Sequence, residues 1–388
     1  MAVDARVSEY LLELLRCGVN DTIPSEKPEG VSWEAVYAFA KRHSVSALAF
    51  YALRTRKDEL PAALAEKWEE QNAMLLTKYV NQEHELTKLS QGFEREKIPY
   101  MPLKGSCMRD LYPSPHQREM SDLDILIREE DVPAAISLAQ SMGYKVESES
   151  SHHVELLKKP FMCLELHSNL VPSDSPFYKY YHRPWELAHP VGDGFRYVMN
   201  RENFYLYMLV HTAKHYYWCG TGIRSVVDVF LFNRAYRTEL DLGYIKVQLE
   251  KLQLTDFAKQ IEALAERWFG DAAENARESC DTDEMQHYLL TGTTYGMRAN
   301  FAQNMVHWHV SRGKSVRAAK TTMYLSMVFL PLTDMKKIYP VLKKAPFLLP
   351  FCWVARWIRI LIKSPGTVTA QYRRVADIEL YGTHEDKK

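Results

Sequence analysis

Asp122 and Asp124 flank a single leucine at the head of an apolar run, Gln117-Arg118-Glu119-Met120-Ser121-Asp122-Leu123-Asp124-Ile125-Leu126-Ile127. In a strand, side chains two apart project from the same face, roughly 6.5 Å from one another along the chain. Two carboxylates so placed can share hard cations. A pair of Mg²⁺ ions held by carboxylate oxygens clamps the attacking and leaving oxygens of an in-line phosphoryl displacement. An Asp-x-Asp by itself is also common at exposed strand starts and turns, so the pair needs supporting residues to be read as a metal site.

Such residues lie on both sides. Upstream, the short apolar run Ile98-Pro99-Tyr100-Met101-Pro102 is compatible with a strand and leads into Leu103-Lys104-Gly105-Ser106. Gly105 would let the backbone come close to a phosphate, and Ser106 is expected to cap a short helix over 107–111, with the helix amides facing an anion. Downstream, Phe161-Met162-Cys163-Leu164-Glu165-Leu166-His167 embeds a carboxylate in a second apolar stretch. A charge inside an apolar strand is costly unless it is paired or bound to a metal, which makes Glu165 the third candidate ligand. The alternative is an edge-strand glutamate facing water.

The order Lys-Gly-Ser, short helix, Tyr112-Pro113, Arg118, Asp-x-Asp and Glu-x-His resembles the nucleotidyltransferase superfamily of DNA polymerase β type. More narrowly, it resembles the bacterial family labelled uncharacterised nucleotidyltransferase. The resemblance extends to Trp33 and His43 and to His211-Thr212-Ala213-Lys214-His215 followed by Arg224-Ser225-Val226-Val227-Asp228. It implies an α+β fold, in which a polymerase β-like core of a small mixed sheet with helices is flanked by helical regions on both sides. By the same resemblance, Gly105 and Ser106 hold the triphosphate of an NTP donor. Asp122 and Asp124 bind two magnesium ions, and Glu165 binds one metal and helps activate the acceptor hydroxyl. Lys104 and Arg118 are then candidates for neutralising phosphate charge. One departure stands out: fifteen residues separate Ser106 from Asp122, more than the superfamily's usual interval. Either 112–120 is a local insertion or the Gly-Ser pair is not the phosphate-binding one.

Each supporting residue also has a structural reading. Lys104 could be a solvated strand-end lysine, and Arg118 could pair with Glu119 or Asp122 as a surface ion pair of little value. His167 either orients Glu165, touches substrate or is a satisfied structural residue. His152 and His153 open an alternating run to residue 157 near the same sheet. His211 and His215, four apart on a segment of helical periodicity, share a face and could bind zinc. No glutamate follows His211, so the general base of the zincin motif is missing. The expected role is a polar seam that pairs with Asp228 or, together with Arg224, lines the far wall of a nucleotide cleft.

These residues need a scaffold, and 388 residues suffice for a catalytic domain plus helical partners. Helical periodicity covers 7–15, 33–42 (with Ser32 as N-cap), 44–53 and 61–96. Strands alternate with a helix at 132–142, closed by Gly143, between 98 and 167. Prolines, aspartates and tyrosines gather at 172–194 as a long ordered loop or lid. Helices resume at 201–218, 223–236, 242–252, 256–269 and 283–297. The expected organisation is an N-terminal helical region (1–95), a nucleotidyltransferase core (96–195), a helical C-terminal domain (196–376) and a tail (377–388).

The six cysteines are scattered singly, with no Cys-x-x-Cys pair, so neither a zinc knuckle nor a disulfide framework is indicated. The start of the chain leads into an amphipathic pattern rather than a signal sequence, and a cytoplasmic location is expected. The formal net charge of zero hides an asymmetry: residues 301–376 carry thirteen Lys and Arg against one acid, Asp334. That segment could contact a polyanion such as tRNA, an anionic membrane or the substrate triphosphate, or pair with the acidic remainder of its own chain. Within it, 345–362 is too short and too arginine-interrupted for a transmembrane span, yet has the Trp, Phe and Arg composition of an interfacial helix. The commoner arrangement for such a helix is packing on protein.

Two functions follow. The first is a Mg-dependent enzyme moving an NMP from an NTP to an acceptor hydroxyl or phosphate, with pyrophosphate released. The second is a catalytically silent nucleotide-binding or scaffolding protein of the same fold. All three carboxylates are in place, which favours the enzyme. The acceptor, whether small molecule, protein or tRNA, is not read from the sequence.

Overall fold

The computed structural model describes residues 4–270, 282–292, 301–310 and 312–363, and these fall into two compact units. The first holds 4–213 and 221–292; the second holds 214–220 and the described residues from 301 onward. The positions 95/96 and 195/196 therefore lie inside the first unit. The expected tail and the end of the basic segment, 364–376, lie outside the described residues, as does the end of the helix expected to reach 297.

The first unit opens with α1 (Ala5–Asn20), α2 (Trp33–Arg42), α3 (Ser46–Ala52) and the 34-residue α4 (Ala62–Arg95). Their ends are written locally. Asp4 accepts from the Arg6 amide to cap α1, and Ser32 accepts from the Ala35 amide to cap α2, each satisfying a donor that the first helical turn leaves open. The start of α3 is capped from a distance by the buried Glu119 carboxylate, which accepts from the Ser46 amide at 2.6 Å and the Ala47 amide at 3.2 Å. Negative charge is favoured at that end of a helix.

Five strands follow: β1 (Tyr100–Pro102), then α5 (Lys104–Met108), β2 (Leu123–Ile127), α6 (Val132–Ser141), β3 (Lys145–Glu149), β4 (His153–Lys158) and β5 (Met162–His167). The sheet order is β1-β2-β5-β4-β3, mixed, with only the central β2–β5 pair parallel. Gly143 closes the turn after α6 at φ +92°, a conformation natural to glycine. The odd-numbered residues of β2, together with Leu164 and Leu166 of β5, face a core closed by Leu89 and Phe93 of α4 and by Ala135, Leu138 and Ala139 of α6. One face of the sheet is thus mostly apolar, with Lys158 of β4 reaching Glu85 of α4 at 2.7 Å. The alternation leaves the other face to the polar residues.

The segment expected as a loop or lid is more regular than that. It contains α7 (Tyr178–Tyr181) and a hairpin of β6 (Ala188–Pro190) with β7 (Tyr197–Met199). Glu94 at the end of α4 fixes the hairpin by accepting from the Phe195 and Arg196 amides. The unit is completed by α8 (Arg201–Lys214), α9 (Ile223–Tyr236), α10 (Leu242–Leu252), α11 (Thr255–Phe269) and α12 (Asp283–Thr291).

The second unit takes a π-helical turn, His215–Cys219, with α13 (Phe301–Val310), α14 (Val316–Val328), α15 (Leu332–Ile338) and α16 (Leu349–Lys363). Trp308 packs on Tyr217 and Trp218. One side of α16 docks through Cys352 and Trp353, whose indole donates to the Leu330 carbonyl at 2.8 Å. Its other side leaves Phe351, Val354 and Ile358 exposed in line with Phe347. Among the described residues the helix therefore packs on protein by one face. Among the described residues no helix is long and apolar enough to cross a membrane.

Phe93 is fully buried where α4 meets the sheet. Phe93→Ala should cost about 3–5 kcal/mol of unfolding free energy, read as a lower urea midpoint.

Candidate active site

The register of one strand pair assembles the acids. β2 and β5 run parallel with Asp124 beside Glu165 and Leu126 beside His167. β4 runs antiparallel to β5 with His153 opposite His167 and Glu155 opposite Glu165. The alternation that sends Ile125 and Leu166 into the core therefore turns Asp124, Glu165, His167 and His153 to the opposite face. Asp122, two residues before Asp124, stands just ahead of β2 and faces the same way.

His167 lies between the carboxylates, its Nε2 being 3.1 Å from Glu165 Oε2 and 3.3 Å from Asp124 Oδ1. Burial alone would lower its pKa, but the hydrogen bonds to Asp124 and Glu165 and the charges of both carboxylates override this and lift it to about 9. The imidazolium is thus the cation that these acids hold. Asp122 has less relief, from the Ser121 side chain and the charge of Arg224. Burial, then the neighbouring charges of Asp124 and Glu165, pushes its carboxyl up to about 6. A carboxyl raised by converging carboxylates marks a site short of positive charge. One ligand atom from each of Asp124, Glu165 and His167 lies within 4.8 Å of the others. This donor set, two carboxylates with Asp122 beside them, suits a hard, oxygen-seeking cation.

The Lys-Gly-Ser segment takes a different local form from the expected one. Leu103 donates its amide to the Asp124 carbonyl at 2.9 Å, tying the end of β1 to β2, and α5 begins at once with Lys104. Ser106 is therefore inside the helix rather than its cap, and the position preceding the helix is Leu103, which makes no side-chain cap. Gly105 is buried where a Cβ would stand 2.6 Å from Met120 Cε, so a larger residue there would require the end of the Met120 side chain to move. The interval 112–120 is ordered: 3₁₀ turns span Arg109–Leu111 and Pro115–Gln117, and the second carries a capping box between Ser114 and Gln117.

Arg118 and Lys104 are not surface cations. Arg118 forks onto Asp228 of α9, Nε to Oδ1 and Nη2 to Oδ2, both at 2.9 Å. Lys104 Nζ lies 3.7 Å from the same carboxylate, and the Tyr112 hydroxyl donates to it at 2.8 Å. All four are buried. This corrects two expectations: Arg118 pairs with neither Glu119 nor Asp122, and Asp228 pairs with neither His211 nor His215. Burial would raise the pKa of Asp228, but Arg118 and Lys104 hold it down at about 2, whereas burial brings Lys104 down to about 8 despite Asp228. Arg224 donates from Nη1 to the Glu119 carbonyl and adds a third positive charge near the cluster.

The two histidines of the helical segment part company. His211 is in α8 with its ring 6.2 Å from that of Tyr207, while His215 begins the π-helical turn of the second unit, so no regular helical face carries both. His43 is buried with Nδ1 3.4 Å from the Ile223 amide, and burial depresses its pKa to about 3, leaving it neutral.

Some neighbours carry no sequence signal. Lys78, half-buried on α4, interacts electrostatically with Asp122, while burial lowers its pKa. It sits in an amphipathic helix where any lysine would pass as a solvated one. Tyr207 of α8 has its hydroxyl pKa raised by burial and by the charges of Asp124 and Glu165. Tyr207 also lines a cavity of about 190 Å³, together with Met101, Lys104, Cys107, Phe204 and Phe232. These lining residues come from four separate elements, β1, α5, α8 and α9, and meet only in the fold.

Neutralising Asp228 would strand Arg118 and Lys104 as unpaired buried cations. Asp228→Asn should therefore cost about 3–5 kcal/mol in urea unfolding. In the native protein the contribution of Asp228 is present above pH 4 and fades as the pH falls through the depressed value near 2. A pH series of unfolding midpoints for both proteins reads this directly.

The model of a family described as uncharacterised nucleotidyltransferase matches residues 29–270, which take in the sheet, the acidic face and the helices from α2 to α11. No curated protein and no solved structure matches the chain. The match covers well over half of the sequence, and the mixed sheet with its flanking helices is consistent with an α+β nucleotidyltransferase fold. The chain belongs to the uncharacterised nucleotidyltransferase family.

Proposed function

We propose that the protein transfers a nucleoside monophosphate from an NTP to an acceptor hydroxyl or phosphate and releases pyrophosphate, using the face that carries Asp122, Asp124 and Glu165. The observation that carries this reading is the β2–β5 register, which sets Asp124 beside Glu165 with Asp122 on the same side. The family supports nucleotidyl transfer in general. Two Mg²⁺ ions, held by Asp122, Asp124 and Glu165, would supply Lewis-acid stabilisation of the charge that builds on the reacting phosphoryl group.

The chain's own residues do the rest. Asp122 and Asp124 would act on the α-phosphate only through the cations they hold, since an ionised carboxylate repels a phosphate, and Glu165 accepts the proton as the acceptor oxygen bonds to the α-phosphorus. The bond from that phosphorus to the bridging oxygen breaks, and the electron pair leaves with pyrophosphate. His167, hydrogen-bonded to Asp124 and Glu165, holds both side chains in one orientation. Such catalysis is positioning and electrostatics rather than covalent chemistry.

Lys104 and Arg118 act on the triphosphate through their field, because their side chains are committed to Asp228. With Arg224 they outnumber that single carboxylate, so positive potential remains around the start of α5. Lys78 is the half-buried cation that can reach a phosphate directly. Gly105 and Ser106 contribute the α5 backbone beside it, and the cavity behind α5, with Phe204, Tyr207 and Phe232, takes an apolar or aromatic part of a substrate. The basic segment 301–376 is the candidate contact for a polyanion.

Asp122→Asn and Asp124→Asn should each lower transfer of label from α-³²P-NTPs by at least 10²-fold, with the melting temperature kept within a few degrees. Full activity in either variant would remove the assignment. Mg²⁺ binding needs Asp122 ionised. The rise in melting temperature on adding Mg²⁺ and NTP should therefore be small at pH 5 and grow as the pH passes about 6. In Asp122→Asn that pH dependence should vanish; an unaltered pH dependence would assign it to another group.

A further inference from the structure

The geometry points to a second metal site, formed by the imidazoles of His152, His153 and His167, for a borderline divalent cation of the Zn²⁺ class. It concerns metal binding alone and does not rest on the nucleotidyl-transfer reading.

One ring nitrogen from each of the three histidines lies within 4.8 Å of the others. Their rings form a closed cluster, with centroids 4.6 Å apart for His152 and His153, 5.2 Å for His153 and His167, and 5.8 Å for His152 and His167. Strand pairing enforces the approach: His153 is opposite His167 across β4 and β5, and His152 accepts from the Ser168 amide through its carbonyl at 2.9 Å. Three imidazoles at this spacing are the donor set that Zn²⁺, Cu²⁺ or Ni²⁺ prefers, and Mg²⁺ does not.

A second observation is independent of the clustering. His167 is 9% exposed, and its Nδ1 is buried without a hydrogen-bond partner. A buried polar atom left unmade is costly, and such atoms in a folded protein ask for an explanation. Its other nitrogen, Nε2, faces Asp124 and Glu165. An imidazole that gives one nitrogen to a metal and the other N–H to a carboxylate is the usual arrangement around a bound metal, because the carboxylate fixes the ring and raises its basicity. The supporting residues are in place as well. Ser150 Oγ lies 3.0 Å from His153 Nδ1 and 3.4 Å from His152 Nδ1, which orients both rings. His152 and His153 are partly exposed, which gives a cation a way in.

The site shares His167 with the acidic one, and His153 Nε2 lies 4.0 Å from Glu165 Oε2. The two sets differ in their other donors, Asp124 and Glu165 in one and His152 and His153 in the other. Variants at His152 and His153, set against one at Asp122, therefore tell them apart.

Tag-free full-length protein, stripped with a chelator, would be titrated with Zn²⁺ in competition with a chromophoric indicator, and with Co²⁺ for its visible absorption. One equivalent should bind with micromolar or tighter affinity. His152→Ala and His153→Ala, at partly exposed positions, should each weaken binding at least tenfold while keeping the circular dichroism spectrum and melting temperature. Asp122→Asn should change it less than threefold. No stoichiometric binding, or binding unaffected by both histidine variants, would overturn the proposal. Binding lost in Asp122→Asn but kept in both histidine variants would place the ion among the carboxylates and overturn it too.

Discussion

Parallel pairing of β2 with β5 forces like charges together, and most of what is distinctive in the first unit follows from it. Asp124 and Glu165 are register partners, with Asp122 beside them, so three carboxylates meet on one face. The opposite face of the same strands is buried against α4 and α6. A slip of one residue would drive Asp124 and Glu165 into that core and bring Leu123 or Leu164 to the surface, so the hydrophobic pattern that stabilises the sheet also locks the acids in place. Stability and site geometry are fixed by the same alternation.

The second constraint is Asp228. It is one carboxylate buried among Arg118, Lys104 and Tyr112, and it joins α9 to the start of α5 and to the loop ahead of β2. A buried ion pair is seldom a net source of stability, but it is unforgiving of the wrong arrangement, because a misplaced partner leaves a charge unpaired. Here it sets where α5 begins relative to Asp122. Glu119 extends the same logic to the N-terminal helices by capping α3, while its carbonyl accepts from Arg224. The interval between Ser106 and Asp122 is thus the segment through which α3, α9 and β2 are held in mutual register.

What could be read from the sequence was whatever is local in the chain. Asp-x-Asp and Glu-x-His announce themselves because period-2 alternation is visible in five to seven residues, and α9 and α10 run over 223–236 and 242–252 as their apolar spacing indicates. The partner of Arg118 lies 110 positions away on a helix, and no local pattern encodes it. Ser106 falls inside the helix for a related reason: a hydrogen bond from the Leu103 amide to the neighbouring strand starts the helix three residues before the expected position, and that bond is tertiary. Lys78 and Tyr207 were invisible because surface-compatible types in amphipathic helices acquire meaning only from what packs opposite them.

His167 is where these levels meet, since it belongs both to the acids and to the imidazole cluster. With no metal on the imidazoles, it is an imidazolium between Asp124 and Glu165, contributing one positive charge. A divalent ion on the three histidines requires His167 to give up a proton, so the local charge rises by one unit rather than two. The carboxylates keep their hydrogen-bonded ring in either state. Occupation of the imidazole set would therefore perturb cation binding at the acids through a short-range charge term carried by the shared His167 instead of by dismantling their geometry, and by reciprocity the acids' cations would weaken the imidazole site by the same factor.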